Sequence, residues 1–254
     1  MRLTVLGSAT PYPRPDDPCS GHLVRHGTTT VWLDAGPGTL AELQRHTAID
    51  ALDAIWISHL HADHSSDLLT AFYALLYADL RPAAPIPLFG PPGTADRLRH
   101  YLTNTEPGPV ERAFDVHELH DGHECAVGGL RLRSRLVEHG FPAFGVRVDA
   151  GAVSLAYSGD TAPCPALDDL AAGADTLLCE ADGDAPPAGV PRVHMTPEDA
   201  GAVARKAGVR RLILTHVAPP LRAGAAVERA AAAFGGAVEH AAPGRTFGVG
   251  PDTS

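Results

Sequence analysis

The chain has 254 residues, of which 44% are hydrophobic, and its formal net charge is −10 with histidine neutral. This apolar share is sufficient for a packed core and excludes a wholly disordered chain. An acidic chain is a poor default binder of nucleic acid, because phosphate binding requires clustered Lys and Arg. No apolar run approaches a membrane span, and the N-terminal run is too short for a signal peptide. We therefore expect a soluble, cytoplasmic protein with no membrane partner.

The cysteines are four in number and lie far apart in the sequence, without a Cys-x-x-Cys pair. They are Cys19, Cys125, Cys164 and Cys179. Four cysteines could form two disulfides, but nothing in the sequence indicates export, so free thiols are expected.

The first half of the chain is predicted to alternate short apolar strands with helices. Strands are expected at residues 3–6, 21–24, 29–33, 54–58 and 88–90, with 25–27 as the turn of a hairpin. Helices are expected at residues 39–46, 65–80 and 93–103.

The second half is richer in strands. These are expected at residues 114–119, 130–137, 144–148, 154–158, 176–180, 211–215, 237–239 and 245–249. Helices are expected at residues 165–172, 197–207 and 225–234, with Thr196 as the N-cap of the second. There is no linker or internal repeat, so residues 1–254 are interpreted as one domain. Two groups of strands, each bordered by helices, favour a four-layer αββα sandwich of the α/β class over a parallel doubly wound sheet.

A run of potential metal ligands follows the strand predicted at residues 54–58, and it reads His59-Leu60-His61-Ala62-Asp63-His64. Two residues at i and i+2 of an extended chain point the same way, and the last two arrive as the chain bends into a helix. Imidazole and carboxylate are ligands that divalent zinc prefers. The alternative interpretation is a polar surface loop that has collected histidines by chance.

Three further candidates each follow a predicted apolar strand: His139, Asp160 and His216. A strand that carries one ligand-type residue at its tip is a common way to position a site on a rigid scaffold. Taken singly, each residue is more typical of a hydrogen-bonded turn. Taken together, they complete two coordination spheres with an open position for water.

These motifs resemble the metallo-β-lactamase superfamily, and most closely its branch of ribonuclease Z and cyclic-nucleotide phosphodiesterases. The resemblance is carried by residues 59–64, by Ser158-Gly159-Asp160-Thr161 and by Leu214-Thr215-His216, and it covers nearly the whole chain. It implies the metallo-β-lactamase form of the αββα sandwich and two divalent metal ions. Zinc is the expected ion, with manganese and iron as alternatives.

The resemblance also implies a role for each ligand-type residue. The ligands of the first metal are expected to be His59, His61 and His139. The ligands of the second are expected to be Asp63, His64 and His216, with Asp160 bridging the two. Asp34, at the tip of its strand, resembles the family carboxylate that orients a ligand histidine.

The segment around His139 distinguishes branches of the superfamily. Glyoxalase II and lactonases usually carry a Gly-His-Thr-Pro-Gly type of segment there, and this chain lacks it. The ribonuclease Z branch has a histidine followed by an aromatic-glycine pair, and here Phe144-Gly145 follows His139.

Glu180 and His194 resemble a catalytic pair of the phosphodiesterase branch. His194 is expected to act as general acid or to stabilise phosphate charge, with Glu180 orienting it. The alternative is that His194 is a surface residue near a helix N-terminus. Asp63 is placed with this pair among the catalytic residues, whereas Asp182 and Asp184 are interpreted as solvated loop charges.

The function that follows is hydrolysis of cyclic nucleotides or other small phosphodiesters by water activated between two metals. The alternative is a hydrolase of an ester, lactone or thioester in a small metabolite. Processing of tRNA 3′ ends ranks lower, because the chain has no room for a long tRNA-gripping arm between Asp160 and His194. A metal-binding protein without hydrolytic activity is the third alternative. The basic residues considered for a phosphate pocket are Arg14, Arg25 and Arg147.

The remaining aromatic and histidine residues lead to weaker expectations. Phe72 is predicted to pack in the core, while Tyr73 and Tyr77 could cap the pocket or form a homodimer contact, and the resemblance implies a homodimer. His22 is expected near the pocket. A histidine-rich tract is interpreted as an exposed loop rather than an extra zinc site; its residues are His117, His120 and His123.

Overall fold

The computed structural model describes residues 1–78, 80, 82–102 and 108–250. Two seven-stranded sheets pack face to face, and helices cover the outer face of each. This arrangement is the αββα sandwich predicted from the sequence. Within the described residues, no helix has the length and apolar character that a membrane crossing requires.

The first sheet has the strand order β14-β1-β2-β3-β4-β5-β6. Its strands are β1 Arg2–Gly7, β2 Gly21–His26, β3 Thr29–Leu33, β4 Ala54–Trp56, β5 Ile86–Gly90, β6 Phe114–Glu118 and β14 Thr246–Gly248. Pairing is antiparallel from β14 to β3 and parallel from β3 to β6. The parallel strands β3 and β4 therefore present their carboxyl ends at the same edge of the sheet.

The second sheet has the strand order β13-β12-β11-β10-β9-β8-β7. Its strands are β7 Glu124–Val127, β8 Leu130–Leu136, β9 Phe144–Ala150, β10 Val153–Tyr157, β11 Thr176–Glu180, β12 Arg211–Thr215 and β13 Val238–His240. The strands β10 to β13 are parallel, so the carboxyl ends of β10, β11 and β12 lie together.

Seven helices occur among the described residues. They are α1 Thr39–Leu43, α2 Ala62–Ser65, α3 Asp67–Tyr77, α4 Thr94–Leu102, α5 Pro165–Ala171, α6 Pro197–Ala207 and α7 Ala223–Phe234. The start of α6 follows the sequence prediction, since the Thr196 hydroxyl accepts a hydrogen bond from the backbone N–H of Asp199 and the Asp199 side chain caps in return.

The core between the sheets is built from the inward-facing residues of both. Trp56 of β4, Phe144 of β9 and Tyr157 of β10 are among its largest buried side chains. The indole N–H of Trp56 donates a hydrogen bond of 3.1 Å to the Ser134 hydroxyl of the opposite sheet. This bond satisfies the one polar group of a wholly buried ring, as buried tryptophans usually require.

Several element boundaries differ from the sequence prediction. β2 continues through His26, and the turn falls at Gly27, whose φ of 57° suits glycine. The helix predicted at 65–80 is divided into α2 and α3 at Ser66, and the helix predicted at 39–46 ends at Leu43. Asp79 and Thr103, which the sequence places in helices, lie outside the described residues. The strand β7 was not predicted, because its four residues carry only one buried apolar side chain.

Candidate metal centre

The predicted ligands lie where strands of both sheets end. His59 follows β4, Asp160 follows β10 and His216 follows β12, while His139 lies in the turn between β8 and β9. His61 is the N-cap of the short helix α2, which carries the next two candidates. Strand ends from two facing sheets therefore bring residues from four distant segments of sequence to one place.

The first predicted set of ligands forms a cluster. The Nε2 atom of His59 lies 3.0 Å from Nδ1 of His61, and Nε2 of His139 lies 3.3 Å from the same atom. Oδ2 of Asp160 lies 3.7 Å from His59 Nε2 and 3.8 Å from His139 Nε2. Burial lowers the pKa of His59 and of His139, so both rings are neutral and hold a lone pair for a metal ion.

The second predicted set also converges. The Nε2 atom of His216 lies 3.4 Å from Oδ2 of Asp63 and 3.2 Å from Oδ2 of Asp160. Oδ1 of Asp160 lies 3.3 Å from Nε2 of His64. Asp160 thus touches both sets, which is the position that a bridging carboxylate requires.

The chemistry of these groups fits divalent cations. His64 Nε2, His216 Nε2 and Asp160 Oδ1 are buried and form no hydrogen bond among the described residues. A buried polar atom without a partner costs about 1–3 kcal/mol, and a metal ion would satisfy all three. Burial alone would lower the pKa of His64, yet the neighbouring carboxylates of Asp160 and Asp34 raise it well above its usual value. The site therefore favours positive charge.

Asp34 lies beneath the cluster and orients it. Its Oδ2 atom accepts hydrogen bonds from the Tyr157 hydroxyl at 2.7 Å and the Ser58 hydroxyl at 2.8 Å. The same oxygen lies 2.8 Å from Nδ1 of His64. With the His64 proton on Nδ1, as this carboxylate demands, Nε2 is left free for a metal ion.

The backbone at the site is held in an unusual conformation. Among the described non-glycine residues, positive φ angles occur at Asp16, Asp34 and His216. Two of these three belong to the candidate metal centre, with φ angles of 56° and 54°. Such conformations cost about 1–3 kcal/mol each and concentrate at functional sites.

Glu180 and His194 form a pair beside the cluster. Nδ1 of His194 lies 3.0 Å from Oε1 of the buried Glu180 and 4.0 Å from Oδ2 of Asp160. Burial opposes a charge on His194, but the hydrogen bond and the negative charge of Glu180 raise its pKa to about 9. His194 is therefore protonated at neutral pH, and the side chain lies in the loop before α6 with 30% of its surface exposed.

Glu180 is itself held in place by the backbone. It accepts hydrogen bonds from the N–H of Thr161 at 2.7 Å and from the N–H of Asp182 at 3.3 Å. Burial raises the pKa of Glu180, and the adjacent His194 opposes that rise. A third group of potential metal ligands, Asp160, His194 and His216, also meets here. His194 does lie near the N-terminus of α6, as the alternative interpretation stated, but it is partly buried and contacts Glu180.

Asp182 corrects one expectation. It was interpreted as a solvated loop charge, but its side chain is 29% exposed, lines the cavity over the predicted ligands and lies 3.5 Å from Nδ1 of His216. This distance is longer than the 2.8 Å between Asp34 and His64, and Nδ1 of His216 forms no hydrogen bond among the described residues. Asp184 agrees with the expectation, since it is 84% exposed and pairs with Arg229.

The main cavity has a volume of about 570 Å³ and opens directly onto the predicted ligands. Its remaining wall includes Thr10, Pro11, Ala62 and Ala218. The Thr10 hydroxyl donates a hydrogen bond of 3.2 Å to Oδ2 of Asp63.

The three arginines considered from the sequence do not line the main cavity among the described residues. Arg14 donates to the Thr10 carbonyl and Arg25 to the His46 carbonyl. Arg147 pairs with Asp149 and donates to carbonyls at the end of α5. These three arginines therefore form no part of the described wall of the main cavity.

Phe141 and Arg97 are residues near the centre that the sequence analysis did not select. The Phe141 ring packs edge-on against His61 with centroids 4.3 Å apart, and Arg97 lines a neighbouring cavity that also includes His61. Phe141 lies two positions after His139, and this closeness in sequence could have indicated that it lies near the candidate centre. Arg97 comes from α4, and nothing in its local sequence points to the metal motif.

The other histidines are not part of the candidate centre. His22 is wholly buried, packs edge-on against Tyr157 at 5.3 Å and has a pKa lowered to about 4 by burial. Of the tract at residues 117–123, His117 lies on β6, and His120 and His123 lie in the turn that follows it. Phe72 is buried as predicted, whereas Tyr73 and Tyr77 are 50% and 63% exposed.

Comparison with known proteins places the chain in a family. A family model described as a beta-lactamase superfamily domain matches residues 29–217. The chain belongs to the metallo-β-lactamase superfamily. This membership and the His/Asp cluster make it a metal-dependent hydrolase.

Individual relatives support the same family. A Mycobacterium tuberculosis protein described as uncharacterized is 39% identical over 254 residues, covering 98% of this chain and 92% of the relative. Ribonuclease Z of Mycobacterium marinum is 34% identical over 275 residues, covering 94% and 95%. The metallo-β-lactamase fold protein YhfI of Bacillus subtilis superposes with a TM-score of 0.85 at 22% identity, covering 97% of this chain and 99% of that chain.

Proposed function

We propose that the protein is a phosphodiesterase that hydrolyses cyclic nucleotides or other small phosphodiesters. The observation that carries this proposal is the Glu180–His194 pair, with the protonated ring of His194 beside the shared ligand Asp160. A protonated donor at this place suits a reaction in which a charged phosphoryl group gains negative charge and an alkoxide leaves. The similarity to ribonuclease Z, whose name denotes cleavage of RNA, supports phosphodiester chemistry.

We propose that the chain holds two divalent ions, with zinc as the resident metal. The first would be held by His59, His61 and His139, and the second by Asp63, His64 and His216, with Asp160 shared. Nitrogen and carboxylate ligands of this kind suit zinc, and also manganese or iron. When bound, such ions lower the pKa of water toward neutrality and neutralise charge on a phosphate.

The side chains around the metal site would orient the ligands and transfer a proton. Asp34 orients the ring of His64 through its 2.8 Å contact with Nδ1, and the carboxylate of Asp182 lies 3.5 Å from Nδ1 of His216. The Nδ1 proton of His194 is engaged by Glu180, so the proton on Nε2 is the one available to a substrate in the main cavity. His194 gives this proton to the oxygen that leaves when the bond to phosphorus breaks, and Glu180 stabilises the ring through the transfer. The chain needs no covalent nucleophile.

A second candidate function is hydrolysis of an ester, lactone or thioester. The wall of the main cavity favours it in one respect, because Pro11, Ala62 and Ala218 are apolar and no described arginine joins them. Processing of tRNA remains a further alternative because of the ribonuclease Z relatives. Between Asp160 and His194 the structure has only α5, β11 and a loop, so this segment supplies no long arm.

The test is a substrate screen with purified protein whose metal content has been measured. The panel contains cyclic AMP, bis(p-nitrophenyl) phosphate, a tRNA precursor, and a series of esters, lactones and thioesters. We expect turnover of cyclic AMP and the generic phosphodiester, with little activity on the acyl substrates. Turnover of acyl substrates alone would contradict the proposal, and cleavage of the tRNA precursor alone would replace it.

We also propose that the protein is a cytoplasmic homodimer that binds no membrane and no nucleic acid. The four cysteines are free, which suits a reducing compartment. Tyr73 and Tyr77 lie one turn apart on α3 with ring centroids 5.5 Å apart and form an exposed aromatic surface that a second copy could cover. Light scattering on the purified protein measures this state directly, and a monomer across micromolar concentrations would contradict the dimer.

A further inference from the structure

A second cavity of about 280 Å³ lies beside the main cavity and shares His61 with it. Its wall is formed by Leu60, Pro91, Pro92, Arg97, Phe141 and Pro142. The volume is near the lower end of the roughly 300–1,000 Å³ found for small-molecule sites. A substrate whose reacting group lies at the candidate metal centre can therefore extend past His61 into this second space.

The wall of the second cavity is rigid and apolar on most sides. Phe141 packs against the rings of His61 and His139, with centroids 4.3 Å and 5.1 Å apart, yet 39% of its surface remains exposed. Proline rings have no N–H to donate and little conformational freedom to lose. These surfaces suit a flat ring that stacks on an aromatic side chain, an interaction that every nucleobase can make.

Among the described residues of this wall, Arg97 has the one permanently charged side chain. It is an exposed residue of α4, and its guanidinium forms no ion pair or hydrogen bond among the described residues. The neighbouring Arg99 of the same helix differs, because it is paired with Asp96 and Glu111. An unpaired guanidinium presents planar N–H donors that match acceptor atoms on the edge of a purine ring.

We propose that this second cavity is a subsite for the heteroaromatic base of a nucleotide. Phe141 stacks on the base and Arg97 donates hydrogen bonds to its acceptor edge, while the phosphate lies at the metal centre. This inference rests on the proposed function in one respect, since it names the class of phosphodiester that the site takes. The apolar wall favours a base over a second phosphate. A phosphate in this cavity would lose part of its hydration against three proline rings and Phe141 and gain few hydrogen bonds in return.

The test is a binding experiment that does not depend on turnover. Calorimetry compares adenosine 5′-monophosphate and guanosine 5′-monophosphate with ribose 5-phosphate, which has the sugar and phosphate but no base. The metal-loaded wild-type protein is expected to bind at least one nucleotide roughly tenfold or more tighter than ribose 5-phosphate. In Arg97→Ala and Phe141→Leu the ratio of the two affinities is expected to fall toward one. Arg205→Ala, an exposed arginine of α6 that lines neither cavity, is the matched control and should keep the ratio.

Two results would overturn the subsite. The first is a wild-type protein that binds nucleotides no better than ribose 5-phosphate. The second is an Arg97→Ala variant that loses affinity equally for both classes of ligand, because Arg97 would then serve a phosphate. Metal content is measured for each variant, and Arg97→Ala is decisive if Phe141→Leu loses its metal. Failure of the proposed function is seen separately, as absence of cyclic AMP turnover by wild-type protein that still prefers nucleotides.

Discussion

At the scale of single residues, Asp34 forms several of the hydrogen bonds that fix the geometry of the candidate centre. It is wholly buried, has a φ of 56° and accepts hydrogen bonds from Tyr157 and from both the backbone and the hydroxyl of Ser58. These contacts leave its carboxylate one orientation, in which Oδ2 faces Nδ1 of His64. Asp34 thereby holds the ring of His64 with Nε2 on the side of Asp160, where this nitrogen is available to a metal ion.

Asp34→Asn is expected to weaken metal affinity about 10- to 100-fold, because an amide cannot accept all of these hydrogen bonds. The measurement is competition for the metal with a chelating dye. Asp175→Asn is the matched control, since Asp175 is also buried and accepts a backbone hydrogen bond of 2.9 Å from Ser154, but in a region away from the cluster. Equal metal affinity in the wild type and Asp34→Asn would contradict a role for Asp34 in orienting His64.

Asp160→Ala and His61→Ala are expected to lose metal and activity together. Asp160 touches both groups of ligands, and His61 lies within 3.3 Å of two ligand nitrogens, so either loss leaves an incomplete site. Elemental analysis of the purified variants, run beside an activity assay, checks this. Retention of two ions with full turnover in either variant would show that the ligand assignment is wrong.

Helix α6 begins close to the Glu180–His194 pair, because its N-cap Thr196 lies two residues after His194. The capping box between Thr196 and Asp199 fixes where the helix starts, and Pro197 occupies its first turn. The loop that contains His194 therefore ends at a helix N-terminus whose position is fixed by the capping box. This cap was predictable from sequence, as were the bounds of α6, β11 and β12, because short apolar strands and a Thr-Pro cap are strong local signals.

Thr196→Ala is expected to lower the free energy of unfolding by about 1 kcal/mol, the usual cost of losing an N-cap. Denaturant titration measures it. Thr70→Ala is the control, because the exposed Thr70 hydroxyl bonds only to the Asp67 carbonyl within α3, and its loss should change stability by less than about 0.5 kcal/mol. A Thr196→Ala variant as stable as Thr70→Ala would contradict a structural role for the cap.

The whole molecule shows what local sequence could and could not reveal. The positions of His59 and His216 were predictable, because each residue follows a short apolar strand that the sequence indicates. The contact between Asp182 and His216 was missed, since it joins two loops that lie together because β11 and β12 pair in parallel. Arg97 was missed for the same reason, because its place beside His61 depends on how α4 packs on the first sheet.

The reactivity of the four cysteine thiols tests how tightly the whole molecule is packed. Burial raises the pKa of Cys19 to about 12 and that of Cys125 to about 11, so neither is a thiolate at neutral pH. The thiols of the native protein should react slowly with a thiol reagent, and the partly exposed Cys125 should react first. After denaturation, four thiols per chain should react. Fewer than four without a reductant would show a disulfide, and fast reaction of all four in native protein would contradict the described packing.

The central claim is that a dinuclear centre and the Glu180–His194 pair together hydrolyse phosphodiesters. The most direct measurement is metal content together with phosphodiester turnover in the wild type, His194→Ala and the control His26→Ala, an exposed histidine at the end of β2. All three proteins should retain two ions per chain, and turnover should fall roughly a hundredfold or more in His194→Ala alone, the usual contribution of a general acid. Unchanged turnover in His194→Ala with both ions present would contradict the claim.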